Sequence, residues 1–462
     1  MRKSEELVKN TAIISIGKLG TQVVNFFLLP LYTARIKTET YGDFDFVTTV
    51  AGFIVPIMTF LMEESMFQFL IDCKNDDERK QVISRTFIFC ILNSLLISII
   101  GGIITFVTGY KLGYAIILYS TAMVLTALSN ALARGLGKIA LYSFSNFLTS
   151  IGVIVMNLIL ILGLDLQFSA LLISGVISYS LSAIYVMIRL KVWKFLDFKA
   201  LKKNEMKNML SFSFPLIPNT ISWNVISVSD RLVIMNFSGA SANGLYSIAY
   251  KFPNLINTFY NFFNIAWRET SAKIVRDNDV KYFENIFYRV KILLASVTIL
   301  LITGIHIIYP IFINENYYQS IYYVPILAVS VFYMAMAAFY GGIFTAYKDT
   351  RILGLTSFWA AGINLFTNIA LYRFIGVYAA AISTLLAAFF LCIYRRCKMK
   401  KYVNIKYKYE GLVEVLFLLS FLSFYRGSDT VKLIVFISCA IVSAYINKDF
   451  ISVVQTRIKK KK

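Results

Sequence analysis

Charged side chains inside long apolar runs are the residues of this sequence that could do chemistry. Asp230 and Arg231 stand side by side in an apolar stretch that also carries Asn219, Ser222, Trp223, Asn224, Ser227 and Ser229, while Lys18 and Lys251 interrupt two other stretches. At the centre of a membrane-spanning helix such a charge costs about 2.5 to 3.5 kcal/mol, so each requires a partner or an aqueous cavity. Adjacent helical residues do not face each other, so Asp230 and Arg231 are expected to find separate partners. For that pair an interhelix ion pair and direct contact with a substrate are both open. Lys18 and Lys251 could snorkel to the interface along their four-carbon stems. Alternatively both line a central cavity, where their chemistry would be recognition of an anion.

The acids offer less. Asp43 and Asp45 lie at one end of an apolar run and Glu63 and Glu64 at the other. End positions predict solvated carboxylates; a cation-coupling site at Asp43 or Asp45 is the alternative reading. Arg134, Lys138, Arg268, Lys348 and Arg351 fall at helix ends, where they orient the protein and could receive an anionic headgroup. Templates for catalysis are missing. There is no P-loop, G-x-S-x-G or H-E-x-x-H pattern, and the only histidine is His306. Cys73, Cys90, Cys392, Cys397 and Cys439 show no C-x-x-C spacing. Neither an enzyme, a metal nor a cofactor is expected.

Apolar runs must position these residues. The chain is 58% hydrophobic and only 15% charged over 462 residues, too apolar for a soluble domain. Runs of about 20 apolar residues predict fourteen spans. They lie near 11–33, 41–62, 86–108, 112–133, 142–163, 168–188, 211–236, 243–266, 290–309, 321–345, 352–372, 375–394, 411–425 and 431–447. Most of the 46 Lys and Arg residues fall at the termini or in every second gap between these runs, which places both ends in the cytoplasm. The net charge of +21 is dispersed over short loops and a polybasic tail, Lys459 to Lys462, suited to an anionic leaflet rather than to nucleic acid. Lys18 interrupts the first run and no small-residue cleavage site follows, so it reads as a retained span.

Outer loops are tight, leaving no room for an outer catalytic domain. Among the larger inner connections, the stretch after Arg189 repeats Trp193, Leu196 and Leu201 among lysines, as in an amphipathic segment lying on the membrane. Pro215 and Pro218 should bend the run that follows. A faint repeat is also legible. Tyr41-Gly42-Asp43-Phe44 and Asn243-Gly244-Leu245-Tyr246 are offset by 202 positions, Arg134-Gly135-Leu136-Gly137-Lys138 and Thr345-Ala346-Tyr347-Lys348-Asp349 by about 210, and Asn157 and Asn368 by 211. Two six-span copies entering from the same side make a parallel repeat of the transporter kind.

Ser211-Phe212-Ser213-Phe214-Pro215-Leu216-Ile217-Pro218, then Trp223, Asp230-Arg231-Leu232-Val233-Ile234 and Ser238-Gly239 to Gly244-Leu245-Tyr246-Ser247, resemble the bacterial polysaccharide-transport flippases. These are a branch of the multidrug/oligosaccharidyl-lipid/polysaccharide exporter superfamily, and Leu29-Pro30 followed by Tyr41-Gly42 fits its N-terminal pattern. The resemblance covers residues 1 to about 396. It implies an all-α membrane protein of V-shaped architecture. Residues 1–190 would form an N-terminal lobe, 191–210 a cytoplasmic amphipathic linker, 211–396 a C-terminal lobe, and 397–462 two further helices with a basic tail. The implied activity is translocation of an undecaprenyl-diphosphate-linked oligosaccharide across a bacterial inner membrane, for O-antigen, capsule or exopolysaccharide. Lys18, Arg231 and Lys251 are then assigned to a cationic cavity, Asp230, Asp43 and Asp45 to structure or coupling, and Arg134 and Arg268 to headgroup entry. H+ or Na+ is the candidate coupling ion, and polymerase and chain-length proteins are candidate partners. Peptidoglycan-precursor flippases of the superfamily carry several arginines in their first spans, where this chain has one lysine. Drug/cation antiporters use buried N-lobe acids, none of which is legible here. A membrane-embedded polymerase or ligase would need a sizeable outer loop.

Overall fold

A backbone in hydrocarbon must satisfy its own hydrogen bonds, so apolar runs of this length can cross a bilayer only as helices or closed barrels. The computed structural model describes residues 26–197, 203–277, 280–347, 349, 351–403 and 410–448. Among the described residues it holds fifteen α-helices and no strand. In order they are α1 Leu29–Arg35, α2 Thr38–Thr59, α3 Met62–Asp72, α4 Asp76–Thr108, α5 Gly113–Gly135, α6 Ile139–Asn157, α7 Phe168–Leu190, α8 Lys203–Ser213, α9 Ile217–Asp277, α10 Val280–Phe312, α11 Val324–Ala346, α12 Arg351–Ile375, α13 Tyr378–Met399, α14 Glu410–Arg426 and α15 Asp429–Ile446. Among the described residues, ten helical segments are long and apolar enough to cross a membrane. Each expected span after the first has a helical counterpart; most of the first lies outside the described residues. The expected break at Pro215 and Pro218 is a 3₁₀ turn, Phe214–Leu216, between α8 and α9. A second break within α9, at Gly239 with φ 79° and ψ −178°, separates the seventh and eighth expected spans and uses backbone geometry open only to glycine.

Two compact units divide the chain, Met1–Gly244 and Leu245–Lys462. In the first, α5 is the central helix and packs against α2, α3, α4 and α7. Its Leu128 and Leu132 meet Met58, Met66, Ile83 and Phe87 in a buried core. Asn75 caps α4 by accepting from the Glu78 N–H at 2.8 Å, and Asp76, Asp77 and Glu78 suit the positive end of the helix. Beyond Cys90 the same helix exposes Ile91, Leu92, Leu95, Leu96, Ile99 and Ile103, a face suited to lipid. The segment after α7, expected on the membrane surface, exposes Trp193 but also docks. Val192 and Met209 are buried in the core, Ser65 Oγ donates to the Met209 carbonyl at 3.0 Å, and the Asp197 N–H donates to Ser84 Oγ at 2.7 Å.

The second unit is built around α11, buried along most of its length and packed against α10 and α13. Small residues make that approach possible, since Ala379, Ala380, Ala381, Ala387 and Ala388 on α13 are all buried. Trp267 stacks on Phe339 with centroids 4.2 Å apart and donates its Nε1–H to the Phe339 carbonyl at 2.8 Å. The plan of the first unit recurs. Helices α4 and α10 both have 33 residues, α5 and α11 both have 23, and a hairpin follows each time. Both hairpins are stitched by buried amides. Ser174 Oγ donates to Asn157 Oδ1 at 2.9 Å between α6 and α7, and Asn364 Nδ2 donates to Ser383 Oγ at 3.3 Å between α12 and α13. Asn157 and Asn368, paired by the repeat, are both buried. Interhelix bonds of this kind contribute about 0.6 kcal/mol each.

Candidate functional site

Thr38, Gly42 and Asp45 fall on one stripe of α2 at helical spacing, and that stripe is zipped to the 231–244 stretch of α9. Thr38 Oγ1 shares a hydrogen bond with Ser241 Oγ at 2.8 Å, and Asn243 Nδ2 donates to the Gly42 carbonyl at 2.8 Å. The two backbones touch where the repeated glycines meet. A Cβ on Gly42 would lie 1.8 Å from the Ala240 carbonyl oxygen, and one on Gly244 would lie 2.1 Å from that of Thr38. One turn further on, Arg231 Nε donates to Asp45 Oδ2 at 3.1 Å and Nη1 reaches the Ser227 carbonyl at 3.5 Å. Arg231 is 7% exposed and Asp45 9%.

This pairing gives Arg231 a partner on another helix, as the sequence expectation had it, and the adjacent Asp230 is itself buried. It overturns the expectation of a solvated Asp45. The helix turns that carboxylate onto the face occupied by Gly42, against α9, and only a cation there offsets its lost hydration. Asp43, two residues earlier, points elsewhere and is half-buried. The guanidinium of such a pair could exchange Asp45 for another oxyanion, for which its planar donors are equally suited.

A second correction concerns Glu63 and Glu64. Phe60 and Leu61 both adopt the left-handed conformation, φ 51° and 54°, and join α2 to α3. Such residues store of order 1–3 kcal/mol of strain each. The turn leaves Glu63 buried, at 8% exposure. Glu64 instead meets Arg134, Nη2 to Oε1, at 3.3 Å. Arg134 lies 4.6 Å from the Phe67 ring centroid and 5.7 Å from that of Tyr142. Buried acids in the N-terminal half, expected to be absent, are therefore present as Asp45 and Glu63. Burial pushes the Glu63 carboxyl up to about 6, against hydrogen bonds from its own backbone N–H and from Thr59, with Glu64 adding to the rise and Arg134 opposing it.

Other expected site residues are dispersed. Lys18 lies outside the described residues, Lys251 is half-buried in the second unit, and Arg268 falls within α9 with its side chain outside the described residues. Two buried arginines escaped the sequence reading. Arg85 on α4 binds Glu205 of α8 and Gln81, beside a cleft lined by Asp72, Cys73 and Glu78. Arg395 on α13 donates to Thr356 Oγ1 at 3.0 Å, Ser357 Oγ at 3.1 Å, the Ala337 carbonyl at 3.1 Å and the Leu353 carbonyl at 3.4 Å. Glu205 and the Arg395 partners are remote in sequence, and both arginines sit at span ends where cytoplasmic exposure is the default. His306 stacks on Phe424 with ring centroids 4.4 Å apart.

Comparisons with known proteins converge on this architecture. An inward-facing multidrug resistance MATE family transporter of the MOP superfamily superposes with a TM-score of 0.69 at 13% identity, covering 84% of this chain and 98% of that one. The lipid II flippase MurJ in an inward closed conformation gives 0.68 at 14% identity, covering 95% and 100%. An outward-facing MATE transporter gives 0.57 at 13% identity, covering 85% and 96%. At these identities the likeness is one of fold. No curated protein matches significantly in sequence. The family of polysaccharide biosynthesis proteins matches over residues 7–268. That match covers more than half of the chain, which therefore belongs to the polysaccharide biosynthesis protein family.

Proposed function

We propose that the protein is a flippase carrying an undecaprenyl-diphosphate-linked oligosaccharide repeat unit from the cytoplasmic to the outer leaflet by alternating access, in the synthesis of O-antigen, capsule or exopolysaccharide. The observation that supports it most is a polysaccharide-biosynthesis family match lying on a fold that solved transporters share. In this reading the membrane is the bacterial inner membrane and both termini are cytoplasmic. The diphosphate binds Arg231 together with Lys18, and Asp45 yields the guanidinium to it, so the buried charge is never left uncompensated. Lys251 serves the same anion, Arg134 and Arg268 receive the headgroup, and Asp230 holds the helix. H+ or Na+ drives the cycle, and a polymerase with its chain-length protein consumes the product.

Buried Asp45 and Glu63 favour a second reading, cation-coupled antiport of a small molecule. Deleting the gene separates the two. The flippase reading expects undecaprenyl-diphosphate-linked oligosaccharide to build up, relieved by wild type and not by Arg231→Ala at equal abundance. Drug sensitivity without lipid-linked sugar would favour antiport and defeat the first reading.

A further inference from the structure

We propose that Glu63 is a proton-binding site seated at the strained junction of α2 and α3, and that ionisation there loosens that junction. The proton adds to a carboxylate oxygen from water, giving a neutral acid. Nothing in this requires the substrate named above.

Three observations converge on the residue. Its Oε2 is buried and makes no hydrogen bond among the described residues. The residue is second in α3, where unsatisfied N–H groups and the helix dipole favour an anion, but burial outweighs that attraction and makes ionised Glu63 the costlier form. That start is also the strained point, because Phe60 and Leu61 hold left-handed geometry without glycine. A buried charge set against a strained turn is a switch when the charge can be removed.

The surroundings permit removal. Arg134 of α5 faces the carboxyl but is engaged by Glu64, the neighbouring acid on the same helix. From α4 comes Cys90, whose thiol reaches the Thr59 carbonyl at 3.7 Å. Helix α2 presents the Thr59 hydroxyl, which accepts from the Leu61 N–H at 3.2 Å. Helix α8 approaches through the Met209 carbonyl at Ser65, while its Glu205 binds Arg85. Burial outweighs the hydrogen bonds from the residue's own backbone N–H and the Thr59 hydroxyl together with the Arg134 charge, and pushes the carboxyl up to about 6, inside the range a cell can impose.

The test uses the full-length protein in lipid nanodiscs. Infrared difference spectra between about pH 5 and about pH 7.5 should show a protonated carboxyl band with its midpoint near 6, absent from Glu63→Gln. At about pH 7.5, where wild type carries the buried charge, amide exchange across residues 59–65 should be roughly tenfold slower in Glu63→Gln than in wild type, the scale of a one-unit rise in a carboxyl midpoint. Should the glutamine variant fail to fold, Glu63→Asp should retain the band with a displaced midpoint. The same band in Glu63→Gln, an unmoved midpoint in Glu63→Asp, or equal exchange would each overturn the proposal. No glycan enters these measurements, so their failure leaves the flippase reading standing, and the reverse holds.

Discussion

Arg231 in the first unit and Arg395 in the second are both buried, and they are held in different ways. Arg231 leans on one carboxylate, Asp45, at 3.1 Å, with a long contact to a carbonyl. Arg395 spreads four hydrogen bonds over two hydroxyls and two carbonyls from two neighbouring helices, α11 and α12. A guanidinium held by many short, neutral contacts is a brace, because no single movement releases it. One held mainly by a single carboxylate can change partners in one step. The function proposed above takes Arg231 as the exchangeable cation and Arg395 as the fixed one.

Breaking the brace should have the largest effect. Arg395→Met strands several buried acceptors at once, and we expect a loss of about 3–5 kcal/mol, read as a large fall in thermal midpoint in detergent. Arg395→Lys should recover little of it, since an ammonium cannot reproduce the fork. Removing the carboxylate of the other site comes next. Asp45→Ala leaves Arg231 uncompensated and should cost about 3 kcal/mol, most of it restored in Asp45→Asn with Arg231→Gln. A double variant no more stable than the single one would show that the pair is not the stabilising contact. Gly42→Ala should cost about 1–3 kcal/mol by forcing α2 from α9, with the Asp45–Arg231 separation lengthening in spin-label distances. The smallest effect is the pH dependence of Glu63. Folded protein keeps that proton up to about pH 6, whereas the unfolded chain loses it near its ordinary 4.5. The folded state therefore binds more protons inside that window, stability falls as pH rises through it, by at most about 2 kcal/mol, and Glu63→Gln should flatten the slope.

Span positions were legible because each helix in hydrocarbon satisfies its own backbone and needs no distant partner. The run expected at 168–188 is Phe168–Leu190, and the repeat read from Tyr41-Gly42 and Asn243-Gly244 reappears as two glycines in mutual contact. Pair partners were not legible. Asp45 and Arg231 lie 186 positions apart, and a carboxylate at a span end looks solvated until the helix facing it is known. Arg395 finds Thr356 and Ser357 some 40 positions upstream, in a run whose Ser and Thr content says nothing of a cation. The turn that buries Glu63 carries neither Gly nor Pro at Phe60 and Leu61, so no local signal announced it. Short-range periodicity fixes helices, whereas the burial of a charge depends on tertiary neighbours.

The central claim is that an exchangeable cation at Arg231 serves an anionic lipid carrier. Its most direct measurement is the leaflet distribution of undecaprenyl-diphosphate-linked oligosaccharide in cells lacking the gene and complemented with wild type, Arg231→Ala or Arg231→Lys, at matched membrane abundance. The account predicts clearance from the inner leaflet by wild type, accumulation there with Arg231→Ala, and partial clearance with Arg231→Lys. Clearance by Arg231→Ala equal to wild type would contradict it.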